Sequence, residues 1–240
     1  MTDEKSSMKI LVDTNVLVDL ILGIVLAFCR KGVLEVIRGL MQKINDNNAL
    51  LILTEKSVRE LEHVLRKGEN KNILQKCKCD PKEIVDIVVN SPGVEVVSIS
   101  KDEEETLIQE YGKYVETHRL SLPREDAHIL AALVKCSPTF FVSRDEKVYR
   151  TAGIISIKER LGVAIKGFKG FVDTLVLLGA MDKYTRYIVG YKAYKAQILP
   201  FTHHEAFRCG YSGNTQGLKS WVEYSQSKLQ EYIPCVLQKR

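Results

Sequence analysis

The sequence predicts an α/β protein in which a parallel sheet is covered by helices on both faces. Short apolar segments of strand length alternate along the chain with longer segments whose apolar residues recur at helical spacing. The strand segments are apolar almost throughout, which is typical of strands buried on both sides. The chain has 240 residues and is 45% hydrophobic, so it can bury a substantial core.

The first part of the chain supplies two predicted strands and three helices. The apolar segment 9–12 is the first strand, and the dominantly apolar segment 16–30 suits a buried helix. Apolar residues at helical spacing predict a second helix over 33–44. The Leu and Ile segment 50–53 is a short buried strand, and a helix is predicted after it over 56–67.

The middle of the chain is more polar. Residues 68–81 are rich in Lys and Asn and are expected to form a loop with a helical patch. After them the pattern predicts a helix over 82–89, a Val-rich strand over 94–99 and a polar helix over 103–117.

The last predicted elements begin at Pro123. This proline and the acids that follow it are helix start signals, and they predict a helix to about residue 135. The strand 139–143 is aromatic and apolar, and a short helix is expected to begin near Glu146. A strand over 162–165 and a helix over 168–178 complete the predicted body.

Composition divides the chain into three parts: a polar lead-in over 1–7, a body over 8–178 and a basic, tyrosine-rich extension over 179–240 that is expected to be mainly helical. Gly179 is the expected end of the last body helix. The net charge is +5, and the nine basic and four acidic residues after Gly179 account for all of it. A basic extension beside a neutral body suggests a polyanionic partner.

Four cations of the extension are interleaved with tyrosines at helical spacing. We call them the tail cations; they are Lys183, Arg186, Lys192 and Lys195. They are candidate contacts to the phosphates of a nucleic acid whose bases stack on the tyrosines. The sequence leaves two alternatives open, namely packing of the tyrosines against the body and an interface with a partner protein.

Cysteine usage and hydropathy predict a cytoplasmic protein. The six cysteines are scattered through a long chain, which fits reduced thiols, and Cys77 and Cys79 have no second cysteine pair with which to form a zinc site. An intracellular disulfide stays open as an alternative. The apolar segment 20–28 is too short to span a membrane and lacks a signal-peptide cleavage site, so neither a membrane span nor secretion is expected.

Four acidic residues stand where an apolar segment meets a turn or a helix. We call them the acidic quartet; they are Asp13, Glu60, Asp126 and Asp145. An α/β fold can gather such residues at the carboxyl edge of its sheet, where ligands bind. Because neighbouring carboxylates raise one another's pKa, the group makes physical sense only around a hard divalent cation, and oxygen ligands favour Mg²⁺ or Mn²⁺.

Three members of the quartet also have a purely structural interpretation. Asp13 can satisfy backbone donors in a turn, and Asp145 can cap the helix that follows it. Glu60 is three residues after a serine, which is the spacing of a capping box. Asp126 is aligned with the apolar face of its predicted helix, where a bare carboxylate is costly to desolvate. His128 is two residues further on and is expected to point to another helix face.

In combination, these segments resemble the PIN-domain nucleases, the group that includes VapC-type toxins and RNA-processing endonucleases. The resemblance covers about residues 8–178 and rests on four segments in the order of the family: Ile10 to Leu17, Val58 to Leu61, Arg124 to Ala132 and Phe141 to Asp145. It implies a Rossmann-like sheet between helices, with one or two Mg²⁺ or Mn²⁺ ions held by the acidic quartet. Asn15 and Ser143 match polar positions that orient the acids or a metal-bound water.

The activity implied by the resemblance is metal-dependent hydrolysis of phosphodiesters in single-stranded RNA, which leaves a 5′-phosphate and a 3′-hydroxyl. An antitoxin partner and a homodimer are further implications. Two rival interpretations remain. An inactive PIN-like RNA-binding or scaffold module would keep the acids for folding alone. A haloacid-dehalogenase-like phosphatase would need a second Asp two residues after Asp13, where this chain has Asn15.

Overall fold

The computed structural model describes residues 8–29 and 32–181, and this part of the chain is an α/β fold. Five strands form one sheet in the order β3-β2-β1-β4-β5, and every neighbouring pair is parallel. The prediction of an α/β fold with a parallel sheet is therefore confirmed. The strands are β1 (Met8–Val12), β2 (Ala49–Thr54), β3 (Val94–Val97), β4 (Phe140–Val142) and β5 (Ala164–Lys166).

Nine α-helices connect and follow these strands within the two described ranges. They are α1 (Thr14–Phe28), α2 (Val33–Asp46), α3 (Glu55–Leu65), α4 (Gly68–Lys76), α5 (Pro81–Val89), α6 (Lys101–Thr117), α7 (Ala127–Cys136), α8 (Glu146–Lys158) and α9 (Phe168–Leu177). A 3-10 turn, Arg124–Asp126, precedes α7. Gly179 follows α9 with a φ of 71°, a left-handed conformation that suits glycine, so the expected end of this helix is confirmed.

Helices cover both faces of the sheet because strand side chains alternate in direction. Ile10 and Val12 of β1 are buried against α1, α2, α3, α5 and α9 on one face. Leu11, between them, is buried against α6, α7 and α8 on the other face. All three are fully buried, and each such side chain contributes roughly 1.5–3 kcal/mol through the apolar area that it removes from water.

The structure corrects two of the predicted elements. Residues 68–76, expected to lie in a loop with a helical patch, form a regular helix, and Leu74 anchors it in the core with 0% exposure. The helix after Asp145 is not short but has 13 residues, because Val148, Ala152 and Ile155 recur at spacings of four and three and are all buried.

Cys29 and Cys77 form a disulfide that joins the end of α1 to the end of α4. The expectation of reduced thiols is therefore wrong for this pair. The two cysteines are 48 residues apart, and packing of α4 against α1 brings them together, which spacing along the chain does not reveal. Cys79 and Cys136 are free thiols.

The expectations about a membrane span and about the two terminal segments can be compared with the structure only in part. Across 8–29 and 32–181, no helix combines the length and the apolar character needed to cross a membrane. The lead-in, most of the extension and all four tail cations lie outside the residues that the structure describes.

Candidate active site

The strand order creates a crevice at one edge of the sheet. From central β1 the chain first adds β2 and β3 on one side, and later adds β4 and β5 on the other side. The order therefore reverses next to β1, and the carboxyl ends of β1 and β4 lie at this switch point, which is where open parallel sheets bind ligands. Asp13 directly follows β1, and Ser143 directly follows β4.

Asp13 is the most firmly held member of the acidic quartet. It stands at the N-cap position of α1 but its side chain does not cap the helix. Its Oδ2 instead accepts hydrogen bonds from Ser143 Oγ at 2.6 Å and from Asn15 Nδ2 at 2.9 Å. Burial raises the pKa of Asp13, and hydrogen bonds from Ser143, from the backbone of Thr14 and from Asn15 only partly offset that rise.

Glu60 approaches Asp13 from α3. Its Oε2 accepts a hydrogen bond from Thr14 Oγ1 at 3.1 Å. The capping-box interpretation of Glu60 is wrong, because Thr54 is the N-cap of α3 and its hydroxyl accepts from the Ser57 backbone. Glu60 therefore lies in the second turn of α3, away from the unpaired amides of the helix start, and its carboxylate contacts Thr14 of α1 instead.

Asp126 lies within electrostatic reach of the other three members of the quartet. It is the last residue of the 3-10 turn and occupies the N-cap position of α7. Its side chain makes no capping hydrogen bond and is half-buried. Burial and then the negative charges of the other three members raise its pKa to about 6, while Lys56 acts in the opposite direction. The periodicity had suggested that Asp126 lies on the apolar face of its helix. It lies instead just before α7, where the helix dipole favours its negative charge.

Asp145 is exposed and caps α8. Its Oδ1 accepts from the backbone N–H groups of Lys147 at 2.8 Å and Val148 at 3.2 Å, so the capping geometry that the sequence allowed is present. Its own backbone N–H donates to Ser143 Oγ at 3.1 Å. A carboxylate has two oxygens, and a cap that uses one of them is compatible with a second contact to a cation.

The quartet does not form a closed cage. In the part of the chain that the structure describes, no three His, Cys, Asp or Glu side chains are close enough together to hold a metal ion. Mg²⁺ is usually bound through one or two carboxylates and retains several of its waters, so it does not require such a cage. The side chains of the quartet offer carboxylate oxygens, which are the ligands that hard divalent cations such as Mg²⁺ and Mn²⁺ prefer.

His128 contacts the quartet, although the sequence placed it on another face. It is 2% exposed, its Nδ1 lies 2.8 Å from Thr54 Oγ1, and its Nε2 lies 3.8 Å from Glu60 Oε1. The sequence compared His128 only with Asp126, whereas its contact within the quartet is with Glu60 of α3. Burial, followed by the charges of Lys56 and Arg59, lowers the pKa of His128 to about 4, so the ring is neutral at pH 7 and does not form an ion pair with Glu60.

Sequence reasoning missed an ion pair beside the quartet whose carboxylate is buried and whose arginine reaches the surface. Asp19 of α1 is 0% exposed, and Arg144 Nη1 lies 3.1 Å from its Oδ1 and 3.0 Å from its Oδ2. Burial raises the pKa of Asp19 to about 7, while Arg144 lowers it and the charge of Asp13 raises it further. An Asp within the dominantly apolar segment 16–30 was the available signal, because a lone buried carboxylate needs a partner.

Comparisons of the chain with protein-family models, with curated proteins and with solved structures find no match. The geometry of the crevice is therefore the basis on which a function can be assigned. At the crevice, Asn15 and Ser143 donate hydrogen bonds to Asp13, and the charges of Asp13, Glu60 and Asp145 reach Asp126. His128 contacts Glu60, and the pair of Asp19 and Arg144 lies nearby.

Proposed function

We propose that this protein is a metal-dependent endoribonuclease with a PIN-like fold, which hydrolyses phosphodiesters of single-stranded RNA. The observation that carries the proposal is the Asp13 carboxylate at the switch point of the sheet, held there by Ser143 and Asn15. Three carboxylates from other segments support it, because Asp126 lies within electrostatic reach of Asp13, Glu60 and Asp145, and these charges add to the rise of its pKa. Such repulsion lowers the stability of the folded protein, and a divalent cation removes it.

The members of the quartet have different roles in this proposal. Asp13 is the anchoring ligand, because Ser143 and Asn15 fix its carboxylate. Glu60 and Asp126 complete the ligand set from α3 and from the start of α7, and Asp145 adds a charge from the start of α8. Mg²⁺ or Mn²⁺ bound there would supply a hydroxide near neutral pH and neutralise charge on the phosphodiester.

Positive side chains near the quartet support a polyanionic substrate. Lys56 acts electrostatically on both Asp126 and His128, and Arg59 acts on His128, so both belong to the surroundings of the site. The charge of Arg144, by contrast, is paired with Asp19. Cations near an acidic centre attract the phosphates of a polyanion and leave the centre to the metal.

The alternative is a catalytically inactive PIN-like RNA-binding or scaffold module. One observation favours it, namely that no three potential metal ligands among residues 8–29 and 32–181 stand close enough together to hold an ion.

The nuclease proposal covers two kinds of protein, a VapC-like toxin with an antitoxin partner and an RNA-processing nuclease of the cytoplasm. Either could be a monomer or a homodimer. Copurification of a small, tightly bound protein from the native source would favour the toxin.

The test is incubation of end-labelled single-stranded RNA with the wild-type protein, with Asp13→Asn and with Asp126→Asn, in Mn²⁺ or in EDTA. Asp86→Asn is the matched control, since Asp86 is an exposed carboxylate on α5. We expect Mn²⁺-dependent cleavage by the wild type and the control, with 5′-phosphate products, and a loss of about 100-fold or more in the two site variants.

Two outcomes would contradict the nuclease. One is cleavage by the wild type at the same rate in EDTA, and the other is cleavage by Asp13→Asn and Asp126→Asn at the rate of the control. RNA binding without any cleavage, in Mn²⁺ as in EDTA, would favour the inactive module.

A further inference from the structure

Asp19 is an unusual residue for its position. Nearly the whole of α1 is buried, and the neighbours of Asp19 in sequence, Val18 and Leu20, are buried with it. A carboxylate in such surroundings is costly unless it is paired and hydrogen-bonded. An apolar residue would fill the same place without that cost, so the presence of an acid here points to what it binds.

The partner of Asp19 is Arg144, which lies 125 residues away in the segment that follows β4. One guanidinium nitrogen contacts both carboxylate oxygens, at 3.1 Å and 3.0 Å, and the arginine side chain is 34% exposed. The pair therefore reaches from the buried side of α1 to the surface at the crevice. A charge-assisted contact of this kind restricts orientation more strongly than apolar packing does.

Arg144 is the middle residue of loop 143–145, whose other two residues belong to the site. Ser143 donates to Asp13, and Asp145 donates its backbone N–H to Ser143. The backbone N–H of Arg144 itself donates to Asn15 Oδ1 at 3.3 Å. Asn15 and Asp19 are four residues apart and so share one side of α1. Loop 143–145 is thus fastened to the same side of α1 at Asn15 and at Asp19.

We propose that Asp19 and Arg144 are positioning residues whose ion pair holds loop 143–145 against α1, so that Ser143, which also accepts from the Asp145 backbone, keeps the Asp13 carboxylate in the arrangement that binds a divalent cation. The consequence for metal binding rests on the proposed function, whereas the fixed position of the loop does not. Neither residue needs to touch the substrate.

The test uses the full chain with Asp19→Asn, Arg144→Gln and the double variant. Ile44→Ala is the matched control, because Ile44 is a fully buried residue of α2 whose truncation also lowers stability. Amide hydrogen exchange, measured by NMR on the metal-free protein, reports how firmly loop 143–145 is held. We expect the amides of Arg144 and Asp145 to exchange at least about 10-fold faster in Asp19→Asn, while the amides of β1 and β4 stay within about twofold of the wild type.

The second readout is the affinity for Mn²⁺ alone, measured by electron paramagnetic resonance of the free ion, together with kcat and KM for labelled RNA. Partners that orient metal ligands typically contribute 10–100-fold, so Asp19→Asn should weaken Mn²⁺ binding by about 10-fold or more. The fall in kcat should be similar, with KM for RNA within about twofold of the wild type. The double variant should match the single ones within about twofold, because both remove the same contact.

Loop exchange equal to the wild type in Asp19→Asn would overturn the positioning role. So would Mn²⁺ affinity and kcat that change no more in Asp19→Asn than in Ile44→Ala, since the pair would then act on stability only. A wild-type protein that neither binds Mn²⁺ nor cleaves RNA would overturn the proposed nuclease, and amide exchange in the same variants would still decide whether the pair holds the loop.

Discussion

Replacing Asp126 with Asn should make the metal-free protein more stable while it removes the activity. Asp126 is half-buried, its side chain makes no cap hydrogen bond, and burial together with the other three acids raises its pKa to about 6. Asn has nearly the same shape but carries no charge, so the substitution removes the desolvation penalty and the repulsion without leaving a cavity.

The expected magnitude follows from the pKa. A rise from 3.8 to about 6 corresponds to about 3 kcal/mol at 1.36 kcal/mol per unit. Asp126 is only half-buried, so screening by water should reduce the free-energy gain to about 1–2 kcal/mol. A gain of this size in a site residue would be the opposite of what most substitutions do, since most destabilise a protein.

The gain should depend on pH with a definite sign. Because the folded pKa of Asp126 lies above its unfolded value, the folded state binds the proton more tightly. The wild type therefore loses stability as the pH rises from about 4 to about 7, and the variant lacks this loss. The difference in the free energy of unfolding should be near zero at pH 4 and largest at pH 7.

Urea unfolding in EDTA, followed by circular dichroism at several pH values, measures this difference, with Asp86→Asn as the control. Mn²⁺ at 100 times its Kd should then stabilise the wild type by about 2.7 kcal/mol and the Asp126 variant by less. The electrostatic reasoning is refuted if the variant is less stable than the wild type at pH 7 in EDTA, or if their difference does not change with pH.

Three further predictions concern other parts of the molecule. Reduction of the disulfide, or Cys77→Ser, should lower the free energy of unfolding by about 4 kcal/mol, because Cys29 and Cys77 close a loop of 48 residues. Peptide mapping that finds both thiols free in the native protein would contradict the bond. Asp145→Ser keeps a capping oxygen, so its free energy of unfolding should stay within about 0.5 kcal/mol of the wild type while Mn²⁺-dependent cleavage falls. Asp145→Ala should lose cleavage and also about 1 kcal/mol of stability. Full activity of the Ser variant would make Asp145 a cap only. Replacing the four tail cations with Gln should reduce the salt slope of RNA binding by up to about 3, and an unchanged slope would favour packing of the extension against the body.

Strand and helix positions were largely accessible from local patterns, because each depends on residues close together in sequence. The strand predicted over 50–53 lies within β2, and the helix predicted over 33–44 lies within α2. The same local rules failed where packing decides the structure. α4 is a helix because Leu74 reaches the core, although its other residues are mostly polar.

The acidic quartet illustrates the same division. Each acid could be singled out because it stands where an apolar segment meets a turn or a helix. Whether it serves as a cap could not be decided locally: Asp145 is a cap, and Glu60 is not, since α3 begins at Glu55 rather than after Ser57. A shift of three residues in a helix start changes the role of a carboxylate, and helix starts are set by small differences in capping energy.

Composition and periodicity on their own determined that this chain has an α/β fold, and the positions of four acids relative to its apolar segments identified them as candidate site residues. These features depend on the direction in which each side chain points from its own backbone, and that direction repeats with a period that can be read from the sequence. Tertiary structure alone decided which residues stand next to those acids. The pairing of Asp19 with Arg144, the approach of His128 to Glu60 and the bond between Cys29 and Cys77 join distant segments. Their contacts arise from the packing of whole helices on the sheet, and no local period encodes that packing.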